Sequence, residues 1–268
     1  MFSLLPGGFS IELLGAVGFD FVCIDLQHGL ADESAVSHGI AALQGTAMVP
    51  LVRPLTNDPG AIGRALDLGA HGVIVPMVQT AQEAADAVAA CRYGPHGIRS
   101  YGPVRSGVPG GGDPAATRPL CLVMIETELG TRNAADIAAT PGLDGIFVGP
   151  ADLALSLGLG LADIHTSPVH VEAVARIRSI ALAHGLIAGM HCFDAASARQ
   201  ALVAGFTMVS VGSDIGYLRD GATAALCATG AGHRAKIDFR LAELSSLTCD
   251  LSLIHISEPT RRTPISYA

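Results

Sequence analysis

GLDGIFVGP, residues 142–150, is a glycine-led turn, a short apolar run and a second turn signal. Three other stretches repeat that plan: GFDFVCID at 18–25, GAHGVIVP at 69–76 and GFTMVSVGSD at 205–214. Continuous apolar runs of this length fit strands buried on both faces, as in a parallel sheet covered by helices. Alanine-rich segments with helical spacing lie between them, at Thr80–Cys91, Pro168–His184 and Asp194–Ala204. A chain that alternates these two patterns is built from strand–helix units.

Working outward, strands are expected near 2–5, 20–25, 47–53, 72–76, 120–126, 144–148, 186–191 and 206–211. Eight units in 268 residues predict an α/β fold, a (β/α)8 TIM barrel. No GxGxxG follows the first strand, so the main signal of a doubly wound dinucleotide-binding sheet is missing. The first strand starts almost at Met1, and a truncated start to the barrel is part of the expectation. The glycine- and proline-rich stretch 94–119 follows the fourth strand and is expected at the C-terminal mouth. Residues 1–229 read as the barrel domain and 230–268 as an atypical tail that loses the alternation. Its end, SLIHISEPTRRTPISYA, resembles translated adapter or vector sequence, so His255, Glu258, Arg261 and Arg262 are set aside.

Half of the residues are hydrophobic and 15% are charged, enough apolar material for a sizeable core. A net charge of −8 argues against nucleic-acid or acidic-membrane partners. No apolar run reaches the roughly 18 residues of a membrane span. The N-terminus, MFSLLPGGFS, lacks the pattern of a signal peptide. Six scattered cysteines form no CxxC pair and read as reduced thiols. A cytoplasmic setting is expected. The single lysine, Lys236, lies beyond the last strand, so imine chemistry has no lysine to use.

In a parallel barrel the chemistry sits at the C-terminal strand ends. The polar residues there are Asp25, Gln27 and His28 after strand two, Arg53 after strand three, Glu126 after strand five and Gly149–Asp152 after strand six. Strands lie about 4.8 Å apart, so Glu126 and Asp152 can converge on one cation. Two carboxylates with open positions suit Mg2+ or Mn2+. Asp152 also stands where a helix start favours an acid. Gly149, Pro150 and Ala151 form either an ordinary tight turn or a turn whose N–H groups face a substrate carboxylate. Arg53 reads as a cation for a developing enolate or as a salt bridge across the mouth. His28, with Asp25 three residues before it, is a candidate general base. His191 ends strand seven and could line the same mouth.

Taken together, GFDFVCIDLQHG, VPLVRP, DPGAIGRALDLGAHGVIVPMVQTAQEA, GIRSYGPVR, LVMIET and GLDGIFVGPADLALSLG resemble the HpcH/HpaI aldolase family, metal-dependent pyruvate aldolases. The resemblance spans roughly residues 5–228. It implies a carbon–carbon lyase that interconverts 4-hydroxy-2-oxo acids with pyruvate and an aldehyde through a metal-stabilised enolate. It makes Glu126 and Asp152 ligands of Mg2+, Mn2+ or Co2+, Arg53 the transition-state cation and His28 the base. Substrate contacts would come from Met124, Gly149, Pro150, Ala151 and Asp152. It also assigns Asp67 to raise the basicity of His28, although Asp67 falls at the far end of a helix and Asp25 is the nearer acid. Gln27 and Met124 depart from the commoner Glu and Gln, which bears on substrate choice. Family members are typically hexamers with an exchanged helix, so a homo-oligomer is expected. The competing expectations are a citramalyl- or malyl-CoA-type lyase, which needs basic residues such as Arg92, Arg99, Arg105 and Arg118 for its nucleotide, and a non-catalytic barrel.

Overall fold

The computed structural model describes residues 1–105, 107–108 and 118–229. The chain divides into a unit of Met1–Ala224 and a unit of Ala225–Ala268. Lys236 and the expected tail, 230–268, lie outside the described residues.

All eight expected strands form. They are β1 Phe2–Ser3, β2 Phe21–Asp25, β3 Val49–Arg53, β4 Gly72–Val75, β5 Leu120–Ile125, β6 Gly145–Val148, β7 Ile187–Met190 and β8 Met208–Val209. They make one parallel sheet in sequence order. Helices follow the strands: α1 Gly8–Gly15, α2 Glu33–Ala42, α3 Pro59–Asp67, α4 Ala81–Ala90, α5 Glu128–Arg132, α6 Ala134–Ala138, α7 Pro150–Ser156, α8 Pro168–Ala183, α9 Ala195–Ala204 and α10 Asp214–Ala228. Local chemistry sets several starts. Asp32, Asp58, Thr80 and Asp194 accept from backbone N–H groups three residues on. Proline opens α3, α7 and α8, where a missing N–H costs no helical bond.

The curled sheet separates two cores. Inside lie Phe2, Cys23, Leu51, Ile74, Leu122, Met124 and Phe147. Between sheet and helices lie Val22, Ile24, Val52, Val73, Val75, Val123, Ile125, Ile146 and Val148, packed against the helices. Alternate residues of one strand therefore serve alternate cores, which explains why the strands read as continuous apolar runs.

β1 and β8 are shorter than expected. After Val209 the chain turns aside at Ser210, whose hydroxyl accepts from Cys192 N at 2.9 Å. Phe2 N then donates to Gly212 O at 3.3 Å, and Phe2 forms an isolated parallel bridge with Ser213. Asp214 ties the same seam. It accepts from Ser3 Oγ at 2.8 Å, from Leu4 N at 2.9 Å and from Leu5 N at 3.1 Å.

One expectation is overturned. The described residues of the stretch 94–119 do not lie at the mouth. Helix α4 precedes it and β5 follows it, so it connects a helix C-terminus to the start of a strand. A strand–helix unit returns the chain to the N-terminal side of the sheet. Its described residues confirm that position, because Arg99 pairs with Asp67, the last residue of α3. Among the described residues, no helix is long and apolar enough to cross a membrane.

Candidate active site

Strand parity carries the chemistry inward. Cys23, Leu51, Leu122 and Met124 belong to the inner core. A side chain two residues further on faces the same way, so Asp25, Arg53 and Glu126 continue that face to the strand ends. Asp25 and Arg53 also stand opposite each other in the β2–β3 register.

Asp25 is fully buried, and Arg53 nearly so. Arg53 Nε donates to Asp25 Oδ1 at 2.8 Å and Nη2 to Oδ2 at 2.5 Å, a bidentate pair. The guanidinium lies 5.2 Å over the Phe2 ring, and Nη1 is 3.8 Å from Met124 Sδ. Burial disfavours the Arg53 cation, but the bonds and charge of Asp25 outweigh it and raise the pKa. Arg53 is a fixed, permanent positive charge.

Asp25 does not hold the His28 ring, contrary to what their spacing suggests. Its carboxylate is taken up by Arg53 and by two backbone donors, Gln27 N at 3.0 Å and His28 N at 3.3 Å. That short turn folds the chain back after β2 and leaves His28 exposed. Asp67 is not brought to His28 either. It pairs with Arg99 at 2.7 Å at the end of α3, on the opposite side of the sheet from the strand ends.

Glu126 directly follows β5 and is 1% exposed. Its Oε1 accepts from Met77 N at 2.7 Å. Burial pushes its carboxyl up to about 7; the Met77 bond and Arg53 oppose this, while the charge of Asp152 adds to it. Asp152 sits in the first turn of α7, partly exposed. Gly149 lets the two elements approach: a Cβ there would collide with Glu126 Oε2 and fall 3.2 Å from Met124 Sδ. Among the described residues, no group of three or more His, Cys, Asp or Glu side chains could hold a metal. The acid pair alone still fits one. A buried carboxylate facing a second, with no cation between them, is the donor set of a hard divalent ion that takes its other oxygens from water or substrate.

Two contributors, Met77 and His170, carry no signal in the residue pattern. Met77 acts through its backbone, at a φ of 59° that side chains rarely adopt. His170, buried in α8, lies with Nε2 2.9 Å from Pro150 O, and its Nδ1 is buried without a partner. Nε2 is therefore the protonated nitrogen and donates to Pro150, fixing the start of α7. His191 faces the Phe2 ring at 4.9 Å, with Nδ1 2.9 Å from Ser210 Oγ.

Three of the four arginines around 94–119 are bonded elsewhere, and the fourth, Arg105, lies against Gly69 just after α3. Arg92 and Arg118 bind Asp144 and the Gly142 carbonyl, and Arg99 binds Asp67. They do not form a free basic groove at the mouth, which removes the support for a CoA-type lyase.

A buried carboxylate beside a half-exposed one, a fixed arginine and an exposed histidine at the C-terminal ends of a parallel sheet define an enzyme of proton-transfer and oxyanion chemistry. The chain belongs to the HpcH/HpaI aldolase/citrate lyase family, whose model matches residues 1–221. A 5-keto-4-deoxy-D-glucarate aldolase from Salmonella paratyphi A is 40% identical over 223 residues, covering 81% of this chain and 86% of the relative. An HpcH/HpaI aldolase/citrate lyase family protein from Burkholderia cenocepacia J2315 superposes with a TM-score of 0.75 at 31% identity, covering 86% of this chain and 95% of that one. The citrate lyase beta subunit of M. tuberculosis, in complex with oxaloacetate and magnesium, shares the fold with a TM-score of 0.52 at 22% identity, over 78% of this chain and 90% of that one. The chain is an aldolase, a carbon–carbon lyase.

Proposed function

We propose that this aldolase cleaves a 4-hydroxy-2-oxo acid to pyruvate and an aldehyde, or runs the reverse condensation, by the metal-dependent class II route. The observation that carries this is Glu126, a buried carboxylate held by the Met77 N–H and facing Asp152. These two acids would hold Mg2+, Mn2+ or Co2+. When bound, the cation supplies Lewis-acid polarisation of the 2-oxo group. Magnesium in the M. tuberculosis relative of this fold supports the assignment.

The chain's own groups do the rest. His28 takes the proton of the 4-hydroxyl. The C3–C4 bond breaks, the aldehyde leaves, and the electron pair passes to the enolate of pyruvate. Arg53, locked by Asp25, steadies the negative enolate oxygen. A proton then returns to C3. Ala151 N–H stands in the first turn of α7, where backbone donors lack helical partners, and serves the substrate carboxylate; Gly149 and Pro150 shape that turn. Met124 borders the 2-oxo acid beside Arg53.

We read the sheet as a full TIM barrel, supported by the Phe2–Gly212 bond and the Phe2–Ser213 bridge. We read the protein as a homo-oligomer, a hexamer by family resemblance. Asp67 reaches a His28 only from a neighbouring copy, and Phe9, Leu13 and Val17 expose apolar side chains. The buried thiols of Cys23, Cys91, Cys121 and Cys192 support a cytoplasmic setting. The test is pyruvate release from a panel of 4-hydroxy-2-oxo acids before and after EDTA, then with each metal restored. Activity that survives EDTA sinks the metal-dependent route.

A further inference from the structure

The strand register continues past the strand ends into a tier of four residues. Ile125 pairs with Val148, Val148 with Met190 and Met190 with Val209. Bonds from Gly149 N to Ile125 O, His191 N to Val148 O and Ser210 N to Met190 O carry that pairing one residue further. Glu126, Gly149, His191 and Ser210 therefore stand side by side. Each lies an even number of residues beyond Met124, Phe147, Ile187 or Met208, which belong to or pack on the inner core, so all four face inward. We propose that His191 is a specificity-determining residue that binds a hydroxyl on C3 of the 2-oxo acid, so that the site takes a 3-hydroxy-2-oxo acid as well as pyruvate. This rests on the aldolase reading above.

The tier places the imidazole beside the reacting end. A Cβ on Gly149 would collide with Glu126 Oε2, so the Glu126 carboxylate occupies the space over Gly149 and lies on the β7 side of β5. His191 is the next strand over, about 4.8 Å further along the sheet. On its other side the imidazole meets the Phe2 ring edge-on at 4.9 Å, and Arg53 lies over that ring at 5.2 Å. The charges of Arg53 and Asp25 both act on it. The mouth is otherwise allotted: the cation to Glu126 and Asp152, the carboxylate to the α7 turn, the oxo oxygen to Arg53, the aldehyde side to His28. The arc left for C3 and its substituent is the one from β7 to β1, which His191 and Phe2 form.

The ring is fixed and has one nitrogen to offer. Nδ1 lies 2.9 Å from Ser210 Oγ, and Ser210 is itself held by Cys192 N. Phe2 and Phe193 hold the ring edge-on from two directions. Nε2 makes no hydrogen bond among the described residues. Burial, then the charge of Arg53, lowers the pKa to about 4, so the ring is neutral near pH 7. A neutral imidazole nitrogen donates or accepts according to its tautomer, and a hydroxyl answers either. The methyl group of pyruvate answers neither. The neighbouring inner side chains Phe2, Met124 and Phe147 are apolar and offer that hydroxyl no alternative.

The experiment needs no aldehyde. Pyruvate and hydroxypyruvate are each incubated with the Mn2+-loaded protein in D2O, and loss of the C3 protons is followed by NMR after subtraction of the protein-free rate. The C3–H bond breaks, its electron pair forms the enolate, and a deuteron from solvent replaces the proton. In the wild type, kcat/KM for hydroxypyruvate is expected to equal or exceed that for pyruvate. His191→Phe keeps the ring contacts but has no nitrogen. It should lower the hydroxypyruvate value about fivefold more than the pyruvate value, the scale of one hydrogen bond. His191→Gln, whose amide can occupy the Nε2 position, should recover most of that difference. Ser210→Ala, which releases Nδ1, should move the ratio the same way by less. Intact pyruvate exchange with a lower hydroxypyruvate value in the wild type, a ratio that none of the variants moves, or equal falls in His191→Phe and His191→Gln overturns this inference alone. No exchange with either acid in the wild type overturns the aldolase reading and this inference with it.

Discussion

The two ends of the sheet handle charge in opposite ways. At the N-terminal side every described acid of the ion-pair clusters has its cation. Asp144 binds Arg118 at 2.7 Å and Arg92 at 3.2 Å and also accepts from Cys121 N at 2.9 Å. Asp67 binds Arg99, which stacks 4.6 Å over Tyr93. Among the acids that end or directly follow the inner face of the strands at the C-terminal side, Asp25 is matched, by Arg53. Glu126 and Asp152 face each other unneutralised, and Glu126 is pushed up to about 7. One end uses charge to hold loops to the sheet. The other keeps two acids close together without a bonded cation, the pair to which the proposed function assigns the divalent metal.

Matched neutralising substitutions give the sharpest break of that contrast. Glu126→Gln is expected to lower pyruvate release about a thousandfold or more, because the group that retains the Lewis acid is lost. It should also abolish any Mn2+-induced rise in melting temperature while leaving the metal-free melt unchanged or higher, since a buried unpaired carboxyl is removed. Asp144→Asn is expected to do the reverse. It should cost about 2–3 kcal/mol of stability by leaving Arg92 and Arg118 without their acid, with kcat/KM changed by less than about twofold. If the two variants behave alike in both assays, the division between the ends is wrong.

Arg53 tests whether the one matched pair at the mouth is structural or chemical. Arg53→Lys keeps a cation near Asp25 but loses the fork that fills both carboxylate oxygens. Turnover should fall about a hundredfold, while Mn2+ affinity, read by calorimetry, shifts less than about threefold. A parallel loss of both would make Arg53 a strut like Arg92.

Much of this division was legible in the residues and some was not. The eight strands follow from apolar runs, because burial on both faces writes itself into every position of a strand. Glu126, Arg53 and Asp25 stood out as charges ending such runs, where an unpaired charge is costly. What failed depended on direction. The stretch 94–119 was assigned to the mouth from its place after strand four, but α4 intervenes and reverses the chain. Asp25 was matched to His28 by nearness in sequence, whereas the register sets it opposite Arg53. Met77 was invisible because it contributes an N–H, which every residue but proline has.

His170 offers a smaller effect at the mouth. Its Nε2–H fixes the Pro150 carbonyl at the head of the turn that carries Ala151 and Asp152. His170→Leu should raise KM for the 2-oxo acid about fivefold, the scale of one hydrogen bond of about 1 kcal/mol, with kcat changed less. His170→Gln, whose amide nitrogen can occupy the Nε2 position, should recover most of the loss. Equal damage from both variants would mean that the ring packs α8 and does not position the turn.

The smallest expected effect is one of pH and belongs to the seam behind Arg53. His191 is lowered to about 4, first by burial and then by the charge of Arg53. His191 Nδ1 lies 2.9 Å from Ser210 Oγ, a contact the hydroxyl can make as donor or acceptor, so burial and Arg53, not this bond, disfavour the imidazolium. A histidine whose folded pKa lies below its unfolded value near 6.5 binds protons more readily when unfolded. Its contribution is therefore complete above about pH 6.5 and is lost as pH falls towards 4, by at most about 3 kcal/mol. His191→Asn can keep a polar contact to Ser210 but cannot titrate. The wild-type melting temperature should drop more steeply than that of His191→Asn between pH 6.5 and 4.5, with the two profiles parallel above pH 7. Identical slopes across the acidic range would show that His191 is already free to take a proton, and that Arg53 does not extend its field past Phe2 to the β7 end of the mouth.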